Sequence, residues 1–330
     1  WKTACSTSTS GTGARWRAPE PLPDRALRRV GTPVNTRLQA PLLMLGASLL
    51  FATMSVCVKL ASALYASGEI VFYRGLVGMV VAYAVTRARR DTLRTTLPGA
   101  HFWRSLCGVL SLGLWFHAIA GLPLATAVTL NYLSSVWMAL FLLGGSVLLG
   151  SAQVDGRLIA AVLVGFGGVA LVLRPTVAPH QLWYGLSGLL SGMIAAMAYL
   201  QVTALGRRGE PESRIVFYFA FGGVLAGALS MAWSGLSSHT PYGAALLLAV
   251  GLLATTAQLM LTRAFAIGPA LANAGLQYTG ILFSVFYGVV LFGDALSWMA
   301  VAGMLLIVAA GLACTVLSRA STTVKSTAAS

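Results

Sequence analysis

Two basic side chains inside long apolar runs are the first residues of this sequence that could act on a solute. Lys59 lies near the end of one apolar run, and Arg74 lies about two turns into the next. A charge within a membrane is expensive, and arginine keeps its proton, so each position is a candidate for solute binding. Two other roles stay open. Lys59 can snorkel to lipid headgroups, and Arg74 can form a structural pair with Glu69.

Two amide–tyrosine pairs occupy apolar surroundings in the two halves of the chain, Asn131-Tyr132 and Gln277-Tyr278. An amide both donates and accepts hydrogen bonds, and a tyrosine adds an apolar ring with a polar tip. We therefore expect these pairs to line a binding cavity; the alternative is hydrogen bonding between helices, worth about 0.6 kcal/mol per bond. Trp115 is assigned to packing instead. Further polar residues of the apolar runs are secondary candidates for the cavity: His117, Tyr199, Gln258 and Asn273.

The composition shows which elements must hold these residues. Of 330 residues, 57% are hydrophobic and only 9% are charged, and the mean hydropathy is +0.81. A soluble fold of this length cannot bury so much apolar surface. Backbone groups in lipid are satisfied only in helices or closed barrels, and barrels show short alternating segments rather than long apolar runs. The fold class predicted is an all-α polytopic membrane protein whose partner is the lipid bilayer.

Ten apolar runs are long enough to cross a bilayer, which takes about 20 residues. The predicted spans cover 38–60, 68–86, 103–121, 124–149, 157–174, 182–205, 213–233, 241–266, 270–292 and 297–317. Residues 1–37 are rich in Ser, Thr, Pro and Arg, so we expect a disordered basic N-terminal tail there. Residues 318–330 are expected to form a cytoplasmic C-terminal tail.

The basic residues set the orientation of these spans. The net charge is +14, and most Lys and Arg residues fall in connections that share one side of the membrane when the N-terminus is cytoplasmic. Positive charge favours the cytoplasmic side, so both termini are predicted to be cytoplasmic, in the inner (plasma) membrane. The placement of the basic residues beside the membrane accounts for the positive net charge. We therefore expect no nucleic acid as a partner.

The two halves of the chain resemble each other. Ile70-Val71-Phe72-Tyr73 recurs as Ile215-Val216-Phe217-Tyr218, at an offset of 145 residues. The turns before spans 4 and 9, together with both amide–tyrosine pairs, align at an offset of 146. The pattern predicts two five-helix repeats over 38–174 and 182–317. An odd number of spans inverts the second copy, and inverted repeats are typical of transporters that work by alternating access.

These features resemble the drug/metabolite transporter superfamily, in its EamA-like branch of ten-helix permeases. The resemblance is carried by Lys59, Arg74, the Gly-Pro-type turns before spans 4 and 9, and Gly293-Asp294. The family usually has Glu where this chain has Asp294. The resemblance implies transport of metabolites, amino acids, vitamins or toxic compounds across the inner membrane. Members with a similar EIVFYR segment resemble S-adenosylmethionine or riboflavin uptake carriers, which is the alternative within the superfamily.

The sequence predicts a secondary carrier of small molecules rather than an enzyme. It contains neither a phosphate-binding Gly-x-x-x-x-Gly-Lys-Ser/Thr loop nor a His-Glu-x-x-His motif, so we expect no ATP hydrolysis, cofactor or metal. Because Lys59 and Arg74 are positive, anionic, zwitterionic or neutral solutes are favoured over cations. A membrane-embedded enzyme, a non-transporting sensor and a channel remain as alternatives. Monomer and homodimer both stay open.

Overall fold

The computed structural model describes residues 36–148, 156–173, 181–295 and 297–327. Most of the tail expected over 1–37 therefore lies outside the described residues. The described residues form twelve α-helices, listed here in chain order: α1 (Thr36–Ala61), α2 (Ser67–Ala88), α3 (Pro98–Gly121), α4 (Leu124–Tyr132), α5 (Ser134–Leu148), α6 (Gly156–Leu173), α7 (Leu182–Arg207), α8 (Glu212–Ser234), α9 (Pro241–Ile267), α10 (Ala270–Leu276), α11 (Thr279–Phe292) and α12 (Trp298–Thr327).

Eight helical segments in the described part of the chain are long and apolar enough to cross a membrane. The prediction of an all-helical, multi-pass membrane protein is therefore confirmed at this level. Two further predicted spans, 157–174 and 297–317, coincide with α6 and α12. The last of these helices continues to Thr327, beyond the predicted end of its span.

Two of the predicted spans contain a local interruption, at residues whose backbone stays in the right-handed helical region. Span 124–149 is divided at Leu133 into α4 and α5, and span 270–292 is divided at Gln277-Tyr278 into α10 and α11. The two breaks are in contact: the Ser135 hydroxyl donates to the carbonyl of Ala274 at 2.8 Å. A broken helix in lipid must find substitutes for its own hydrogen bonds, and here one broken helix supplies a donor to the other.

Four helix pairs make the most extensive contacts: α1 with α9, α3 with α7, α2 with α8, and α6 with α12. Glycines bring the backbones of α2 and α8 together. A Cβ on Gly75 would lie 2.8 Å from the Ala220 carbonyl oxygen, and a Cβ on Gly227 would lie 2.6 Å from the Phe72 backbone. Small residues at such crossings allow van der Waals contact between backbones, which is a main source of helix association in lipid.

The α2–α8 crossing predicts a large effect of a single added methyl group. Gly227→Ala should lower the Tm in detergent, because the new Cβ meets backbone atoms that cannot move independently. Overpacking of this kind costs about 1–3 kcal/mol, more than the roughly 0.5–1 kcal/mol that alanine gains over glycine in a helix. The measurement is thermal unfolding followed by tryptophan fluorescence.

Gly113→Ala is the matched control, because a Cβ on Gly113 of α3 meets nothing within 4 Å. Its Tm should stay unchanged or rise slightly. Equal Tm values for the two variants would contradict the proposed close contact of α2 and α8.

Candidate functional site

A narrow polar cavity lies among seven helices in the middle of the bundle. The space around these helices, about 510 Å³, is partly open to the outside, and only about 50 Å³ of it is wide enough to hold water. This is room for a few ordered waters, so a metabolite enters only if the helices separate. The lining consists of Phe51, Arg74, Arg104, Gly108, Ser111, Leu112, Trp115, Asn131, Tyr132, Ala195, Ala198, Tyr199, Phe219 and Gln258.

Two arginines contact the same aromatic ring in this cavity. The guanidinium carbons of Arg74 and Arg104 lie 4.9 Å and 4.0 Å from the centroid of Phe219. Both residues are buried, with 5% and 2% of their surface exposed. Cation–π contacts of this kind contribute about 0.5–2 kcal/mol each. Glu69 pairs with His239 at 3.4 Å instead of with Arg74, so the structural pair that the sequence left open is not formed.

Arg104 is a functional candidate that sequence reasoning missed. Its span was predicted to begin at residue 103, which placed Arg104 at the cytoplasmic boundary of the span, among the basic residues that set the orientation. The helix begins at Pro98, so Arg104 lies in its second turn and inside the cavity. The signal was present, because proline is favoured in the first turn of a helix.

The Asn131 amide belongs to a hydrogen-bonded network at the first helix break. Its Nδ2 donates to the Ser191 hydroxyl at 3.0 Å, and the Ser111 hydroxyl donates to the Ser191 carbonyl at 2.9 Å. These bonds join α3, α4 and α7 beside the cavity. Trp115, which was assigned to packing, lines the same cavity, and its Nε1 has no hydrogen-bond partner among the described residues.

Two tyrosines line the cavity on the side of the first helix break. Tyr132 packs so closely on Gly280 of α11 that a Cβ there would lie 2.6 Å from the ring. Tyr199 stacks on Phe265 with centroids 5.1 Å apart. Gln277 is buried at the second break and is not among the residues that line the cavity.

Lys59 lies outside the cavity, at the turn between α3 and α4. Its Nζ donates to the Leu122 carbonyl at 2.6 Å and lies 5.6 Å from the centroid of Phe292. On the other side of the same turn, Asp294 accepts a hydrogen bond from the Leu124 amide at 3.0 Å. The two charged side chains thus hold the α3–α4 turn against the end of α11.

The other predicted site residues divide between the cavity and three separate places. Gln258 lines the cavity. His117 stacks on Tyr184 with ring centroids 4.6 Å apart, and Asn273 donates to the Ala264 carbonyl near the end of α9 at 2.5 Å. Tyr278 borders an apolar groove between α11 and α12. His117, Asn273 and Tyr278 are therefore not brought together with Arg74.

Two wider grooves are lined almost wholly by apolar side chains. One lies between α3 and α8, and the other lies between α10, α11 and α12. Exposed large hydrophobic residues such as Phe102, Leu229 and Leu282 border them. In a bilayer such surfaces contact acyl chains, so the smaller cavity with its convergent polar groups is the better solute site.

An ion-pair network lies at the end of the bundle that contains the α2–α3 and α7–α8 connections. Glu210 accepts from Arg214 Nη1 at 2.7 Å and from the Thr95 hydroxyl at 2.8 Å, and His101 Nε2 lies 3.3 Å away. Burial raises the pKa of Glu210, but the hydrogen bonds from Arg214, Thr95 and His101 outweigh it and hold that pKa below its ordinary value.

Known proteins similar to this chain are bacterial transporters. The pseudopaline exporter CntI of Pseudomonas aeruginosa (strain UCBPP-PA14) is 32% identical over 281 residues, which cover 84% of this chain and 95% of the exporter. A riboflavin transporter of Rhizobium johnstonii is 28% identical over 67% of this chain and 71% of its own length. An S-adenosylmethionine uptake transporter of Rickettsia bellii is 20% identical over 69% of this chain and 76% of its own length.

A solved crystal structure shows the same fold, with a TM-score of 0.63 at 20% identity over 85% of this chain and 97% of the other. No model of a protein family matches the chain. The relatives are named as transporters rather than enzymes. The prediction of a membrane transporter without enzymatic activity is therefore confirmed.

The Glu210 network predicts a pH-dependent contribution to stability. The pKa of Glu210 is lower in the folded protein than in the unfolded chain, so its stabilising effect is fully present above the unfolded value, about 4.5. It is lost as the pH falls through the folded value. The Tm difference between wild type and Glu210→Gln should therefore be largest near pH 7 and shrink below pH ~4.5, by thermal unfolding in detergent.

Asp91→Asn is the control for this measurement. Asp91 lies in the loop after α2 and forms no salt bridge with a described residue. Its substitution should shift the Tm little at either pH. A Tm difference for Glu210→Gln that is constant with pH would refute the stabilising role of the Glu210 charge.

Proposed function

Because the chain belongs to the family of membrane transporters that contains the pseudopaline exporter CntI, we propose that it is a secondary carrier of small organic solutes that works by alternating access. We propose further that it belongs to the EamA-like branch of the drug/metabolite transporter superfamily, on the residues that carry that resemblance. The proposed architecture is ten spans in two inverted five-helix repeats over 38–174 and 182–317. The observation that carries the proposal is the polar cavity in the middle of the bundle, which residues of both halves line, among them Arg74 and Asn131 from the first half and Tyr199 and Gln258 from the second.

Matching backbone geometry in the two halves supports the inverted repeat. Leu122 has φ −116° and ψ 160° at the end of α3, and Gly268 has φ −115° and ψ 168° at the end of α9. Each is followed by a proline in an extended conformation, Pro123 or Pro269, and then by a short helix. Both short helices end at an amide–tyrosine pair, at the offset of 146 residues that the sequence alignment gives.

Contacts between equivalent positions support it as well. Arg74 and Phe219 follow the two copies of the Ile-Val-Phe-Tyr segment, at the offset of 145 residues, and they contact each other in the cavity. Their neighbours Gly75 and Ala220 also meet. Residues related by a two-fold axis touch only close to that axis, so these pairs mark where the axis of the repeats passes.

The distribution of charge supports an orientation with both termini in the cytoplasm. The loop after α2, the start of α8 and the end of α9 meet at one end of the bundle, where Arg89 and Arg263 both bind Glu212. The exposed arginines of that end give it a strongly basic character, which is typical of a cytoplasmic face. We therefore place the protein in the inner membrane.

The relatives' names leave two directions of transport. The pseudopaline exporter is the relative with the higher identity and the fuller coverage, and this supports export. Uptake, as in the riboflavin and S-adenosylmethionine carriers, is the alternative. Export and uptake are distinguished by measuring solute counterflow with vesicles that are preloaded with solute and contain the protein in either orientation.

Alternating access is tested by labelling Ser111→Cys, which places a thiol in the cavity, after the native cysteines are replaced by alanine. A membrane-impermeant anionic thiol reagent should reach this cysteine from either face of oriented proteoliposomes. A transported solute should raise the labelling rate from one face and lower it from the other, because each state of a carrier opens to one face only.

Leu110→Cys is the control, since Leu110 is 51% exposed on the outer surface of α3 and faces lipid. It should react from neither face. Labelling of Ser111→Cys from one face only, whatever solute is present, would exclude a carrier and favour a non-transporting sensor. Simultaneous labelling from both faces at the full rate would favour a channel.

A further inference from the structure

We infer that the cavity receives a small organic dianion, whose carboxylate or phosphate oxygens are bound between Arg74 and Arg104. The inference rests on the proposed function, because it names the substrate class of the same cavity. The argument depends on the charge state of the cavity, the geometry of its two guanidiniums, and the space left around them.

The cavity has two fixed positive charges and no negative charge of its own among the described residues. Neither Arg74 nor Arg104 forms a hydrogen bond or salt bridge with any of those residues, and Nε of both side chains is buried without a partner. Leaving a buried charge unpaired in a protein costs several kcal/mol. Such an arrangement is stable only as part of a site that receives its counter-charge from outside.

The carboxylates that might neutralise these arginines lie elsewhere. Glu69 lies 3.4 Å from His239, and Glu210 and Glu212 bind other arginines at the end of the bundle. Asp294 is bonded to the Leu124 amide. Because Arg74 and Arg104 contact the same ring, their like charges lie close together, and a solute anion that enters supplies the missing partner to both.

The geometry fits two negative charges better than one. Because each guanidinium carbon lies within 5 Å of the Phe219 centroid, the two carbons are at most about 9 Å apart. A single small dianion can therefore contact both. Guanidinium groups bind carboxylate and phosphate oxygens through two parallel hydrogen bonds. A monoanion would leave one charge of the closed cavity without a partner.

The remaining lining suits the uncharged part of such a solute. The amides of Asn131 and Gln258 can bind hydroxyl or amide groups, and the rings of Trp115 and Tyr132 provide apolar walls. The described lining residues include no aspartate or glutamate, so a cationic solute finds no partner there.

Gly108 leaves the space in which the Arg104 side chain is held. A Cβ at this position would lie 2.1 Å from Nη1 of Arg104 and 2.8 Å from the Phe219 ring. Any other residue would displace the guanidinium from the ring, while the helix backbone would remain in place.

The first experiment measures binding to the purified protein with probes of different charge at equal ionic strength. Succinate and glycerol 3-phosphate test carboxylate and phosphate dianions, succinamide is the neutral counterpart of succinate, and putrescine is a dication. We expect at least one dianion to raise the Tm, because a ligand of the folded state stabilises it, and the other two probes to have no effect. Equal stabilisation by succinamide or putrescine, or none by either dianion, would overturn the inference.

The second experiment uses Arg74→Gln and Arg104→Gln. Each should lower the affinity for the bound dianion at least tenfold and raise the Tm of the protein without ligand, because an unpaired buried charge is removed. Gly108→Ala should lower the affinity while both arginines are retained. Arg87→Gln, at the exposed end of α2, is the control and should leave the affinity unchanged. A lower Tm with unchanged affinity would show that the arginines are structural and would overturn the inference.

The labelling and binding experiments distinguish a failure of the carrier proposal from a failure of the dianion proposal. If cavity labelling alternates between the faces but no dianion binds, the carrier stands and the assigned substrate class is wrong. If dianions bind through the two arginines but labelling never alternates, the binding site stands and the carrier is wrong.

Discussion

The rest of the structure depends on two fixed positive charges that are buried in the middle of a membrane protein without a carboxylate beside them. Arg74 and Arg104 are stabilised in part by the face of Phe219, and the helices around them bury both side chains. Unpaired buried charges lower the stability of the empty protein. Natural proteins retain such strain where it serves a function, and the inferred dianion would supply the missing counter-charge.

The broken helices explain how a polar cavity exists in a lipid-embedded bundle at all. A continuous helix satisfies the hydrogen bonds of its own backbone, so only its side chains contact lipid or neighbouring helices. The interruptions at Leu133 and at Gln277-Tyr278 instead leave backbone groups available to a neighbour, and the hydrogen bond from Ser135 to Ala274 uses one of them. This bond connects the two halves of the chain.

The sequence predicted the membrane fold well, since hydropathy alone reports where a chain must be helical in lipid. It also identified five cavity residues, namely Arg74, Asn131, Tyr132, Tyr199 and Gln258, because polar residues are rare in apolar runs. It did not predict the helix breaks, which contain no proline. Arg104 was missed because hydropathy places the start of a span too late when the first turn is polar. Phe219 was missed because an aromatic residue in an apolar run carries no distinguishing signal.

The crossing of α2 and α8 has a mechanical consequence. Backbones in direct contact at Gly75 and Gly227 leave no layer of side chains that could deform or slide. Rotation about such a point requires less repacking than translation, so the crossing is suited to act as a fulcrum. The arginine–phenylalanine contact lies one residue from Gly75. A solute bound there would lie close to the axis of rotation. A small displacement of the helices at the solute would therefore produce a much larger separation of their ends at both membrane surfaces.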